Sequence, residues 1–210
     1  MFSHTPNCIL VRDDEGVYAI TREDLIKYSG RAGLIASGVI MRLLTEASQD
    51  LSPHEVPHRK DIRVLSAFPG NGVRDGIEFI TRAVTQGRFI LDMTAGDEKA
   101  APSPIGGRMY FEVAIGDRAM AYSYSADLFD EKWCEEVLKN QMGTEDYETH
   151  QDYLVYKYGF LGRVLSDKHV FAEKKPISTE RFEAMNYHAL TCVVSWERTP
   201  NSNNHRESIF

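Results

Sequence analysis

A chain of 210 residues with a formal net charge of -7 lacks the basic field that nonspecific nucleic-acid binding needs, and it has no polybasic run. Its 42% hydrophobic and 26% charged residues are ordinary for a soluble globular protein, and the length is enough to hide about 70% of the unfolded surface. No apolar stretch approaches the roughly 18 residues of a membrane span, so neither a membrane nor a nucleic acid is an expected partner.

The opening MFSHTPNCILVRDDEG has no basic n-region, and Arg12 and Asp13 break its apolar run, so a signal peptide is not expected. Cys8, Cys134 and Cys192 are far apart and odd in number. That argues against a disulfide framework and fits a cytoplasmic protein. Neither CxxC nor HExxH occurs, so no metal site is assigned and the cofactor is unknown.

Residues 8–12 and 17–20 pattern as a hairpin around Asp13-Asp14-Glu15-Gly16. Thr21 opens a helix, with Asp24 three residues on as a capping-box variant. Gly30 interrupts it, and a longer helix is expected over 31–48. Gly30, Ala32, Gly33, Ala36, Ser37 and Gly38 make one part of that helix small-sided. A helical glycine costs about 1 kcal/mol relative to alanine. Something therefore packs close, and another helix or the sheet is the expected neighbour, with a ligand as the alternative.

Residues 51–60 carry two prolines and read as a loop, in which His54 and His58 are expected to be exposed. Residues 61–68 read as a strand, followed by the turn Pro69-Gly70-Asn71-Gly72 with Asn71 as N-cap of the next helix. Val73, Ile77, Ile80 and Val84 recur at helical spacing as a core stripe. A strand is expected over 88–92 and a loop over 93–107. Residues 108–125 alternate as an antiparallel hairpin with one buried face, turning at Gly116-Asp117. Asp127 is expected to start a helix with Phe129, Trp133 and Val137 at i, i+4 and i+8. A Tyr-rich helix follows over 147–164, then a short helix capped by Thr179, a strand over 189–196 and a polar tail over 200–210. The whole reads as one domain over 1–199.

The helix after Gly72 carries Asp75, Glu78 and Arg82 on one face, with Arg74 four residues before Glu78. Those spacings allow surface ion pairs worth about 0.3–0.5 kcal/mol each. The start of the helix is different, because its first N–H groups are unpaired and favour anions. If it meets the break at Ser29-Gly30-Arg31, Arg31 and Arg74 are placed to hold a carboxylate or phosphate. Asp75 or Glu78 then serves as acid or base.

These two segments resemble the formylmethanofuran dehydrogenase E-type family, which includes stand-alone homologues of that enzyme's component. The first match is Tyr28-Ser29-Gly30-Arg31 leading to Gly38 and Met41-Arg42. The second is Val73-Arg74-Asp75-Gly76-Ile77-Glu78 to Thr81, then Gly87-Arg88. The resemblance covers about 24–125, with 126–199 as an extension. It implies an α+β fold, helices on a mainly antiparallel sheet, and a homodimer. Ser29 and Arg31 stand where the family has metal-binding histidines, Asn71 and Ala83 where relatives can have cysteine, and the C-terminal zinc ribbon is absent. Metal binding is therefore not carried over, since serine and arginine are not transition-metal ligands. What the resemblance implies is a repurposed cavity.

Two functions follow as expectations. One is an enzyme or binding protein for a small anionic metabolite. Arg31, Arg74 and Ser29 would bind it, Asn71 would orient it, Asp75 or Glu78 would move a proton, and Tyr28 would assist. The other is a non-catalytic accessory component of a redox complex, docking through aromatics of the 147–158 helix.

Overall fold

The computed structural model describes residues 8–141, 147–183 and 185. The strand expected over 189–196, the tail over 200–210 and Cys192 lie outside the described residues. The fold is α+β. A five-stranded sheet runs in the order β4 (Phe89–Leu91), β3 (Ile62–Ser66), β5 (Tyr110–Ile115), β6 (Arg118–Tyr124), β7 (Phe171–Ile177), and three of its four pairings are antiparallel. A separate antiparallel hairpin, β1 (Cys8–Arg12) with β2 (Val17–Thr21), turns where Asp13 accepts the N–H groups of Glu15 and Gly16.

Helix α1 (Arg22–Ser29) starts on the expected capping box: Thr21 and Asp24 exchange backbone and side-chain bonds. Gly30, at φ 71°, ends it. The single helix expected over 31–48 is two pieces, a 3-10 turn (Arg31–Gly33) and α2 (Leu34–Leu51). The small side of α2 is filled by neighbouring helices. A methyl on Gly72 would lie 2.9 Å from Ala36 Cβ and 3.0 Å from Gly33 Cα, while one on Gly38 would strike Leu161 of the helix over 147–166. The glycines therefore serve close packing.

Strand β3 (Ile62–Ser66), helix α3 (Asn71–Thr81) and β4 (Phe89–Leu91) form a βαβ unit whose two strands are parallel. Gly70, not Asn71, is the N-cap of α3, with no side-chain cap bond, and Asn71 is the first helical residue. Val73, Ile77 and Ile80 are buried as the stripe requires, but α3 ends at Thr81, so Val84, expected as the fourth member, lies beyond the helix in a turn and is half-buried. The last carbonyls of α3 are bonded by two arginines. Arg59 donates to Phe79 O and Ile80 O (2.6 and 2.8 Å), and the buried Arg88 donates to Thr81 O (2.9 Å). Both guanidinium groups lie where the helix dipole favours a cation.

Strands β5 (Tyr110–Ile115) and β6 (Arg118–Tyr124) form the expected hairpin, but both of its faces are covered. Phe111, Val113, Tyr122 and Tyr124 join the main core under the helices. Tyr110, Ala114, Ala119 and Ala121 pack on the other side against Ala100, Phe182 and Met185. The alternation sorts the two sides correctly; the small alanines on the second side hide its burial. Helix α4 (Glu131–Gln141) starts four residues later than expected, capped by Asp130 Oδ1 on the Trp133 N–H at 2.8 Å. Helix α5 (Tyr147–Ser166) packs on α2. Strand β7 (Phe171–Ile177) has no counterpart among the expected elements. It carries Lys174, Lys175 and Pro176, which mark an edge strand. Lys174 ties it to Glu46 and Asp50 of α2. No described helix is long and apolar enough to cross a membrane.

Candidate functional site

The start of α3 and the 3-10 turn before α2 meet, because Gly33 and Gly72 let the two backbones touch. Where they meet, α4 and α5 close a cavity of about 510 Å³. Four of the seven sequence-predicted site residues line it: Ser29, Arg31, Asn71 and Asp75. The other three do not. Arg74 is exposed and stands outside this cavity. Tyr28 and Glu78 line a separate hollow of about 450 Å³ with Arg59, Phe79 and Arg82.

The separation follows from helix rise. Glu78 lies seven residues beyond Asn71, about 10 Å further along α3. Its carboxylate is already engaged by the Thr85 N–H (3.0 Å), the Thr85 hydroxyl (2.7 Å) and Arg82 (3.5 Å). The expected Arg74–Glu78 pair does not form, whereas Glu78–Arg82 does. Tyr28 packs on Phe79, ring centroids 5.1 Å apart.

The cavity lining combines charged side chains with aromatic ones, of which Phe129 and Trp133 are almost wholly buried and Phe68 half-buried. Phe68, Phe129 and Trp133 line it, Phe129 edge-on to Trp133 at 4.9 Å. The i, i+4, i+8 stripe of Phe129, Trp133 and Val137 is thus a cavity wall as well as core. Two polar atoms of wall residues are buried without a partner among the described residues, Trp133 Nε1 and Asn140 Oδ1. Ser29 donates its hydroxyl to Leu25 O at 2.9 Å. Arg31 and Asp75 make no side-chain hydrogen bond or ion pair with a described residue.

The residue that sequence reasoning missed is Lys157. It lines the cavity, is 5% exposed, and donates to Arg31 O at 2.9 Å with its ammonium 4.8 Å from the Tyr153 ring centroid. Burying an ammonium is costly unless it is bonded. The signal is present, since 153, 157, 160 and 164 recur at helical spacing and lysine occupies one of those inward positions.

The histidines divide. His54 is exposed, as expected. His58 is buried, not exposed: its Nδ1 accepts the Lys60 N–H at 3.2 Å, which directs the Nε2 proton to Asp14 at 3.0 Å. Among the described residues no three His, Cys, Asp or Glu side chains gather in a group able to hold a metal. Burial pushes the Cys134 thiol above its usual range, so it is a poor thiolate nucleophile. Of the aromatics on α5, Tyr158 is exposed and Tyr153 half-buried at the cavity wall.

The arrangement can hold an anion beside Lys157 and Arg31, and it offers Asp75 as a carboxylate with no partner among the described residues. No protein-family model matches the chain and no curated protein matches it in sequence, so the resemblance to the formylmethanofuran dehydrogenase E-type family rests on the residues quoted above.

Proposed function

We propose that this cavity binds a small anionic metabolite and acts on it by acid–base chemistry. Lys157 and Arg31 attract the anion, the N-terminal N–H groups of α3 and Asn71 orient it, and Asp75 moves the proton. The observation that supports this reading is a buried lysine in one cavity with Arg31, Asn71 and an Asp75 unpaired among the described residues. Glu78 and Tyr28 have no part in it, because they line the other hollow.

A thermal-shift panel of small carboxylates and phosphates, run on wild type and Arg31→Ala, tests the reading. It predicts a ligand that raises the wild-type melting temperature and shifts the variant less. Equal shifts in both proteins remove Arg31 from the site. The working form under this proposal is a homodimer. The family resemblance and the exposed apolar side chains of Val155 and Tyr158 on α5 support it. Light scattering at micromolar concentration checks it, and a monomer mass overturns it.

A further inference from the structure

Helix α5 has an inner and an outer side. Lys157, Phe160, Leu161 and Val164 are buried on the inner side, which packs on α2. On the outer side Asp152, Val155, Gly159, Gly162 and Ser166 recur at spacings of three, four, three and four, and all five are exposed. That periodicity puts them in one stripe along the helix. Val155, on the stripe, is 72% exposed, and Tyr158, beside it, is 50% exposed.

The two glycines of this stripe differ from the other helical glycines of the protein. A methyl on Gly72 would lie 2.9 Å from Ala36 Cβ, one on Gly76 would lie 3.3 Å from Ile40, and one on Gly38 would strike Leu161. A Cβ on Gly159 or Gly162 would have no atom of a described residue within 4 Å. A helical glycine costs about 1 kcal/mol relative to alanine. In α2 and α3 close packing offsets that cost, and in α5 no described residue does. Val155 and Tyr158 stand as knobs next to the hollows that the glycines leave. One surface therefore carries both halves of a fit, which is the condition for a two-fold interface between identical patches.

Charge fixes the direction. Asp152 and Arg163 are exposed near opposite ends of the stripe, and neither has an ion-pair partner among the described residues. A parallel pair of α5 helices would set each of these charges against its own like in the other copy. An antiparallel pair sets each aspartate against an arginine. The same antiparallel register lays Val155 of one copy over the glycines of the other.

We infer that α5 pairs antiparallel with α5 of a second copy of this chain. Val155 seats over the partner's Gly159 and the partner's Gly162, and Asp152 faces the partner's Arg163. This rests on the proposed homodimer and names its interface. It also braces from outside the helix whose inner side carries Lys157.

The test is sedimentation equilibrium of the wild-type protein and its variants at micromolar concentration. Wild type is expected to be a dimer. Val155→Glu, which puts a carboxylate from each copy into the apolar centre, should leave a monomer. Asp152→Arg should weaken dimerisation at least about ten-fold by setting like charges face to face. Asp152→Arg combined with Arg163→Asp should restore the wild-type dimer. Arg163 also lies over the Phe160 ring, 4.8 Å from its centroid. Where the double variant folds poorly, salt decides instead. Rising salt should weaken the wild-type dimer and strengthen that of Asp152→Arg. The same salt response in both proteins, or no recovery in a folded double variant, overturns the antiparallel register. A wild-type dimer unchanged by Val155→Glu and by Asp152→Arg overturns this interface and leaves the homodimer intact. A wild-type monomer overturns both, and the anion reading is then judged by its own titration.

Discussion

Lys157 Nζ on α5 donates a 2.9 Å hydrogen bond to the carbonyl oxygen of Arg31, 126 residues earlier in the chain. This contact ties the helix of the C-terminal extension to the turn that opens α2. It also brings an ammonium to a cavity that the 24–125 segment cannot close alone. Replacing Lys157 with Met keeps most of the apolar stem and removes the charge. The carbonyl of Arg31 then keeps only the Leu34 N–H, and loss of the second bond should cost about 1 kcal/mol. Urea denaturation should show a lower midpoint with an unchanged slope.

Gly72 and Gly33 set how closely α3 approaches the start of α2. A methyl on Gly72 would meet Ala36 Cβ at 2.9 Å and Gly33 Cα at 3.0 Å, and the latter is backbone that has little room to yield. Gly72→Ala should destabilise the protein by about 1–3 kcal/mol through overpacking. Gly76 is a control in the same helix, since its methyl would meet Ile40 carbons at 3.3 Å. Gly76→Ala should cost less, because the helix-propensity gain of about 1 kcal/mol offsets part of the crowding. Thermal melts of the two variants make the comparison.

Arg88 is 7% exposed, and its guanidinium donates to Thr81 O, Arg59 O, Ile62 O and the Gln86 side chain. It closes the end of α3 and the loop before β3 at once. Arg88→Leu removes the guanidinium bonds to Thr81 O, Ile62 O and Arg59 O, of which Arg59 O keeps the Ile62 N–H, and should cost about 3 kcal/mol. Arg88→Lys should recover little, because a single ammonium does not reproduce the planar fork. Denaturation midpoints of the pair check this.

Asp24 accepts the Thr21 N–H at 3.0 Å and the Thr21 hydroxyl at 2.7 Å, and these bonds hold its carboxyl below the usual 3.8. A carboxyl with a depressed folded-state pKa adds stability above its unfolded value and loses it as pH falls through the folded value. The melting temperature of wild type should therefore exceed that of Asp24→Ala at neutral pH. The gap should shrink as pH drops below 3.8. A gap that persists unchanged at low pH would show that the carboxylate is not the active part of the cap.

Much of the fold is legible because local rules agree with tertiary ones. Thr21 and Asp24 announce a capping box, Gly30 a break, and Val73, Ile77 and Ile80 a buried stripe, and all three hold. Strand β7 is hidden because its edge position tolerates lysines and a proline that read as loop. The second covered sheet face is hidden because alanines mark it weakly. For the candidate site, Asp75, Asn71, Arg31 and Ser29 group together because two helix starts are a recognisable signal. Glu78 is misplaced by the sequence because sharing a helix face does not mean sharing a depth along the axis. Lys157 escapes notice because a lysine in an apolar stripe is easily taken as solvent-facing.

The most direct test of the anion-binding cavity is calorimetric titration of the strongest ligand from the carboxylate and phosphate panel into wild type, Arg31→Ala and Lys157→Met. The expected result is saturable one-site binding in wild type and an affinity at least about ten-fold weaker in each variant. Equal affinity in all three proteins would contradict it and place the binding elsewhere.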